Sequence, residues 1–101
     1  MLLLIVESEK NMKFVQYSEV DMSSLQGYVK TTYDKLVEVF GEPHYYDGDK
    51  TTCEWNLKFA DGTIATIYDW KEYSTPMYEY DWHIGGYNQY AVKRVTEALN
   101  G

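Results

Sequence analysis

The side chains best suited to nucleophilic chemistry in this chain are one cysteine and two histidines, Cys53, His44 and His83. A thiol attacks when a neighbouring base or positive charge holds it as the thiolate. Cys53 instead begins the alternating set Cys53, Trp55, Leu57, Phe59, where a thiol reads as a small inert hydrophobe. No serine or cysteine stands in a nucleophile-elbow pattern, and no His or Cys pair has zinc-ligand spacing. Asp47-Gly48-Asp49 carries two carboxylates without the later ligands of a calcium loop, and reads as a turn. Carboxylates are abundant, notably Glu54, Asp69, Glu72, Glu79 and Asp81. Acid–base catalysis needs two of them in one cleft with their pKa values driven apart, whereas an acidic chain by default displays a solvated polar face. Glu54 and Asp69 are expected near one another across a hairpin, an unfavourable pairing unless Lys58, Lys71 or a basic partner is close. The reading is a non-enzyme with no catalytic residues, no metal and no cofactor.

His83-Ile84-Gly85-Gly86 raises a different chemistry, anion binding. Two glycines before a helix let backbone amides approach a phosphate, and the helix terminus adds partial positive charge. His83, Gly85, Gly86, Lys93 and Arg94 are the residues such a phosphate or nucleotide site would use. The pair lacks the spacing and lysine of a nucleotide-binding loop, so a strand-to-helix turn needing positive φ is the favoured reading.

The strongest signal is aromatic. Between Tyr68 and Tyr90 lie eight of the fourteen Tyr and Trp residues (eleven Tyr and three Trp), with Asp69, Glu72, Glu79 and Asp81 against a single Lys71. Trp55, Tyr68 and Trp82 are candidates for the core, and Trp55 is expected there. Tyr45, Tyr46, Tyr73, Tyr78, Tyr80 and Tyr87 are hard to bury together in so short a chain. Exposed rings beside carboxylates give large contact area at low entropic cost, which suits recognition. The expected protein-contact set is Tyr73, Tyr78, Glu79, Tyr80, Asp81 and Trp82.

Two strands are expected at Leu2–Glu7 and Lys13–Tyr17, with a turn at Ser8–Asn11; Asp21–Ser24 then breaks the pattern before Leu25–Val29. Tyr33, Leu36, Val37 and Phe40 fall on one helical face, with Thr31 as N-cap and Gly41 and Pro43 as the stop. Thr51–Trp70 reads as a β-hairpin turning at Asp61-Gly62. A two-residue loop and a three-residue loop with a glycine bulge both fit. They differ in whether Ile64, Tyr68 and Trp70, or Ala65 and Ile67, join Trp55 in the core. A further strand is expected at Met77–Ile84, ended by Gly85-Gly86. A last helix follows, capped by Asn88, with Ala91, Val92, Val95, Ala98 and Leu99 inward. This order predicts one α+β domain over residues 1–101: an antiparallel sheet of four to five strands with two helices on one face.

The chain has 101 residues, 45% of them hydrophobic, and a net charge of −7. This is enough for one core, argues against disorder, and opposes direct nucleic-acid binding while favouring basic protein surfaces. Leu2–Val6 is too short for a signal peptide or a membrane span, and a lone cysteine fits a reducing compartment. No membrane partner is expected.

The stretches Ser24-Leu25-Gln26-Gly27-Tyr28, Leu36 to Pro43, Glu54-Trp55, Asp61 to Lys71 and Trp82 to Gly86 together resemble a group of small acidic proteins of tailed bacteriophages. The resemblance covers about residues 23–99 and brings no characterised active site. It implies a counter-defence role in the host cytoplasm. The chain would inhibit a host defence effector or nucleic-acid enzyme by contact, as anti-CRISPR proteins do, or sequester a cyclic or ADP-ribose-type nucleotide signal. Self-association through an exposed strand or the aromatic patch is compatible with either role.

Overall fold

The computed structural model describes residues 12–44 and 50–101. The strand expected at Leu2–Glu7, the turn at Ser8–Asn11, Tyr45, Tyr46 and Asp47-Gly48-Asp49 lie outside the described residues. The described chain forms β1 (Met12–Phe14), a 3-10 turn (Tyr17–Glu19), β2 (Ser24–Thr31), α1 (Tyr33–Phe40), β3 (Glu54–Phe59), β4 (Ile64–Tyr68), β5 (Tyr80–Gly86) and α2 (Tyr90–Asn100). The strands make one antiparallel sheet in the order β1-β3-β4-β5-β2. Leu36 and Phe40 of α1, with Ala91 and Val95 of α2, join Trp55, Leu57, Phe59, Ala65, Ile67, Trp82 and Ile84 in one core. This is the expected α+β class, with two helices covering one face of a five-stranded sheet.

Local chemistry sets the element ends. Helix α1 buries Leu36 and Phe40 and stops at Gly41, whose φ is 93°. Its N-cap is Thr32, one residue later than expected, because Thr31 is taken up by β2. The Thr32 hydroxyl accepts the Lys35 N–H at 3.1 Å. In the hairpin, Phe59 N–H donates to the Thr63 carbonyl at 2.8 Å and Gly62 N–H to the Phe59 carbonyl at 2.9 Å. With Gly62 at φ 92°, this is the three-residue loop closed by a glycine bulge. Trp55 therefore faces Ile67, and Leu57 faces Ala65. Ala65 and Ile67 go to the core, while Ile64 and Tyr68 turn to the other face. A Cβ at Gly62 would meet nothing within 4 Å, so Gly62→Ala carries backbone strain alone. Urea denaturation should show a loss of about 1 kcal/mol.

The two edges, β1 and β2, are consecutive in sequence and must be linked across about four strand spacings, roughly 19 Å. Residues 15–23 make that crossing over the face the helices leave open. Val15 and Val20 are buried along it. Glu19 lies 4.0 Å from Lys58, and the Tyr87 hydroxyl reaches the Glu19 and Asp21 carbonyls. Asn56 and Thr66 of the open face are buried. Residues 15–23 cover the half of that face nearer the β3–β4 turn, and among the described residues nothing covers the other half.

Candidate functional site

At that other end, the connection from β4 to β5 is pinned at several points. Asp69 is fully buried and accepts the Thr52 N–H at 2.7 Å and the Thr52 hydroxyl at 2.6 Å. Since Thr52 gives its one hydroxyl proton to the carboxylate, Thr75 is the donor in the 2.6 Å contact between their hydroxyls. Lys71 N–H donates to the Lys50 carbonyl at 2.7 Å, and Trp70 N–H to the Tyr80 hydroxyl at 3.2 Å. Pro76 is buried. From this fixed backbone Tyr73 projects at 104% exposure, and Met77 and Tyr78 are exposed beside Glu79. A held backbone carrying free rings loses little entropy when it binds.

The open face carries a second group of rings. Sheet register places Glu54, Tyr68, His83 and Tyr28 in one row across β3, β4, β5 and β2. His83 lies 4.8 Å from the Tyr28 ring, 5.4 Å from Tyr68 and 6.4 Å from Trp70. Tyr28 and Trp70 are exposed, and Lys50 and Lys71 sit 5.8 and 6.0 Å from the Trp70 ring. Asp81 pairs with Lys30 at 3.1 Å. The charge here is thus mixed, with lysines set among the acids.

Burial holds the His83 imidazole below the ordinary histidine value of 6.5, against the pull of nearby Asp69, and burial lowers His44 likewise. As pH falls through that value, the unfolded chain binds protons before the folded chain does, so stability falls on the acid side. Urea midpoints taken across this interval should drop, and drop less for His83→Gln.

Several expected site residues lie elsewhere. Trp82 is fully buried, edge-on to Trp55 at 5.7 Å, and its indole N–H donates to the Thr31 carbonyl at 3.2 Å. It is core and cannot touch a partner. Tyr80 is half-buried and holds Trp70 through its hydroxyl, whose pKa burial pushes up to about 12. Tyr73, Tyr78, Glu79 and Asp81 remain exposed, the first three on the loop.

The anion set does not assemble. Gly85 and Gly86 are buried inside β5, not in a positive-φ turn. A Cβ on Gly85 would sit 2.5 Å from Thr66 Oγ1, and one on Gly86 2.7 Å from the Ala91 side chain and 2.9 Å from the Ile64 carbonyl. The glycines serve close packing, one on each face of the sheet. His83 faces the open side, whereas Lys93 and Arg94 belong to α2 on the helical side. The Arg94 guanidinium is held 2.7 Å from Asp61 and 3.2 Å from Glu97. The N-cap of α2 is Gln89 rather than the expected Asn88 and makes no side-chain capping bond; Asn88, one residue earlier, accepts the Tyr90 N–H on its Oδ1 at 2.9 Å.

Cys53 is buried, and desolvation followed by the Asp69 charge raises its thiol to about 11, so it is protonated at neutral pH. The expected Glu54–Asp69 contact across the hairpin is replaced by Glu54 opposite Tyr68, because Asp69 turns to Thr52. Sequence reading missed Tyr28, which needed β2 to be seen as a strand. The alternation in Gly27-Tyr28-Val29-Lys30-Thr31, with its β-branched residues, was the available signal.

Among the described residues, no group of three or more His, Cys, Asp or Glu side chains could hold a metal ion, and no helix is long and apolar enough to cross a membrane. Comparison with models of known protein families, with curated proteins and with solved structures gave no match.

Proposed function

We propose that this chain is a phage-encoded counter-defence protein of the host cytoplasm that inhibits a host immune or nucleic-acid-processing effector by direct contact. The observation that carries this reading is the pinned loop with Tyr73, Met77 and Tyr78 exposed, together with the exposed Trp70 and Tyr28 on a sheet face that no described element covers at that end. Monomers rarely leave large apolar patches exposed without a partner, and Tyr and Trp are enriched among interface hot spots. The net charge of −7 favours a basic surface on that partner, such as a nucleic-acid groove. The alternative, a sponge for a nucleotide signal, has less support because His83, Gly85, Gly86, Lys93 and Arg94 do not converge. The alternative keeps only the stacking rings and the lysines beside Trp70.

Capture of a host effector from lysate, followed by assay of that effector's activity, tests the reading. Tyr73→Ala with Tyr78→Ala should weaken inhibition at least tenfold while leaving the thermal midpoint unchanged. Full inhibition by the double variant would remove this surface from the account. A thermal shift with cyclic dinucleotides, cyclic trinucleotides or ADP-ribose would favour the sponge instead.

A further inference from the structure

We infer that β2 is a docking edge onto which an extended segment of a basic partner protein adds as a sixth strand. This inference rests on the reading that the chain binds another protein, and it specifies how.

Strand β2 pairs only with β5, and among the described residues no other strand lies along its outer side. Its one irregularity falls at Gln26, whose side-chain amide donates to the Gly86 carbonyl at 3.1 Å and fills the bulge. Gly27 to Thr31 then run in unbroken register. Edge strands are normally guarded by charge, proline, a covering element or shortness. This one has eight residues, no proline and a single charge, Lys30, already paired with Asp81. The opposite edge, β1, has three residues. An edge that no described element covers offers backbone donors and acceptors in strand spacing, which a protein partner matches directly by adding a strand; that points to an extended chain as the occupant.

The edge is also furnished on both sides for alternate side chains. Toward the helices, Gln26, Gly27, Gln89, Val92 and Lys93 line a hollow of about 290 Å³ between β2 and α2. Gly27 allows this close approach, since a Cβ there would lie 2.9 Å from Val92 Cγ2. Toward the open face stands Tyr28, half exposed and backed by His83. A strand added here sends one side chain into the hollow within reach of Lys93 and the next against the Tyr28 ring, where a guanidinium stacks well. Charge separates the two kinds of strand on offer. A second copy would bring −7 against −7, whereas a basic segment is attracted.

Panning random linear peptides against the full chain, then following amide hydrogen exchange with a recovered peptide, tests the inference. The expected result is enrichment of basic sequences that slow exchange in β2. Binding should weaken about tenfold for Tyr28→Ala and for Val92→Trp, which fills the hollow. Peptides that protect only residues 70–79 would overturn the edge and leave the protein-binding reading intact. Slow β2 exchange in the free chain, lost on dilution, would assign the edge to a second copy and overturn the inference. Failure to recover any peptide would overturn the edge site, while inhibition lost in the Tyr73 and Tyr78 variants would still uphold the wider reading.

Discussion

Replacing Trp82 by alanine should cost about 3–5 kcal/mol, a large share of the roughly 5–15 kcal/mol that stabilises an ordinary small domain. The indole is fully buried, packs edge-on against Trp55 and Tyr80 at 5.7 and 5.1 Å, and gives its N–H to the Thr31 carbonyl. Truncation leaves a cavity at the junction of β5 with β2 and withdraws a donor from a strand end. Chemical denaturation should show the loss directly. Trp82→Phe should recover part of it by refilling the space without the hydrogen bond. Per folded molecule, partner binding by Trp82→Phe should match the parent, because this ring supports the surface from behind.

Asp69→Ala should cost about 2–3 kcal/mol, since it removes a charged acceptor and leaves the Thr52 N–H without its carboxylate. The effect should spread beyond the carboxylate. Asp69 accepts both Thr52 donors, Thr52 in turn meets Thr75, and these bonds tie the start and the middle of the 69–79 loop to the segment leading into β3. Amide exchange across residues 70–76 should accelerate more than elsewhere. Partner affinity should also fall, although no contact residue has changed, because the rings of Tyr73 and Tyr78 lose their fixed support. Asp69→Asn, which keeps one acceptor oxygen, should fall between the two.

What could be read from the chain was whatever rests on short-range periodicity. The Tyr33–Leu36–Val37–Phe40 stripe, the Cys53–Phe59 alternation and the Ala91–Leu99 stripe each declare a buried face, and both helices and the β3–β4 hairpin follow from them. The glycine bulge at Gly62 was one of two allowed loops, and only sheet register could choose between them. Strand β2 was harder to see. Gly27 interrupts its pattern, and its inward residues meet α2, some sixty positions later in the chain. The same long-range pairing misplaced the glycines of β5. Gly85-Gly86 before a helix has the signature of a turn, whereas the real constraint is the approach of Thr66 on one face and Ala91 on the other. Trp82 illustrates the general limit for the site. Alternation put Tyr78, Tyr80 and Trp82 on one side of a strand, but could not tell that this side turns inward at Trp82 while the loop lifts Tyr78 into solvent.

The central claim, that the loop and open-face rings form a protein-contact surface, is tested most directly by hydroxyl-radical footprinting of the chain alone and bound to its captured effector. Tyr73, Tyr78, Trp70 and Tyr28 should be reactive when free and protected together in the complex, with Trp55 and Trp82 unreactive in both states. Unchanged reactivity of all four exposed rings in a saturated complex would contradict the account.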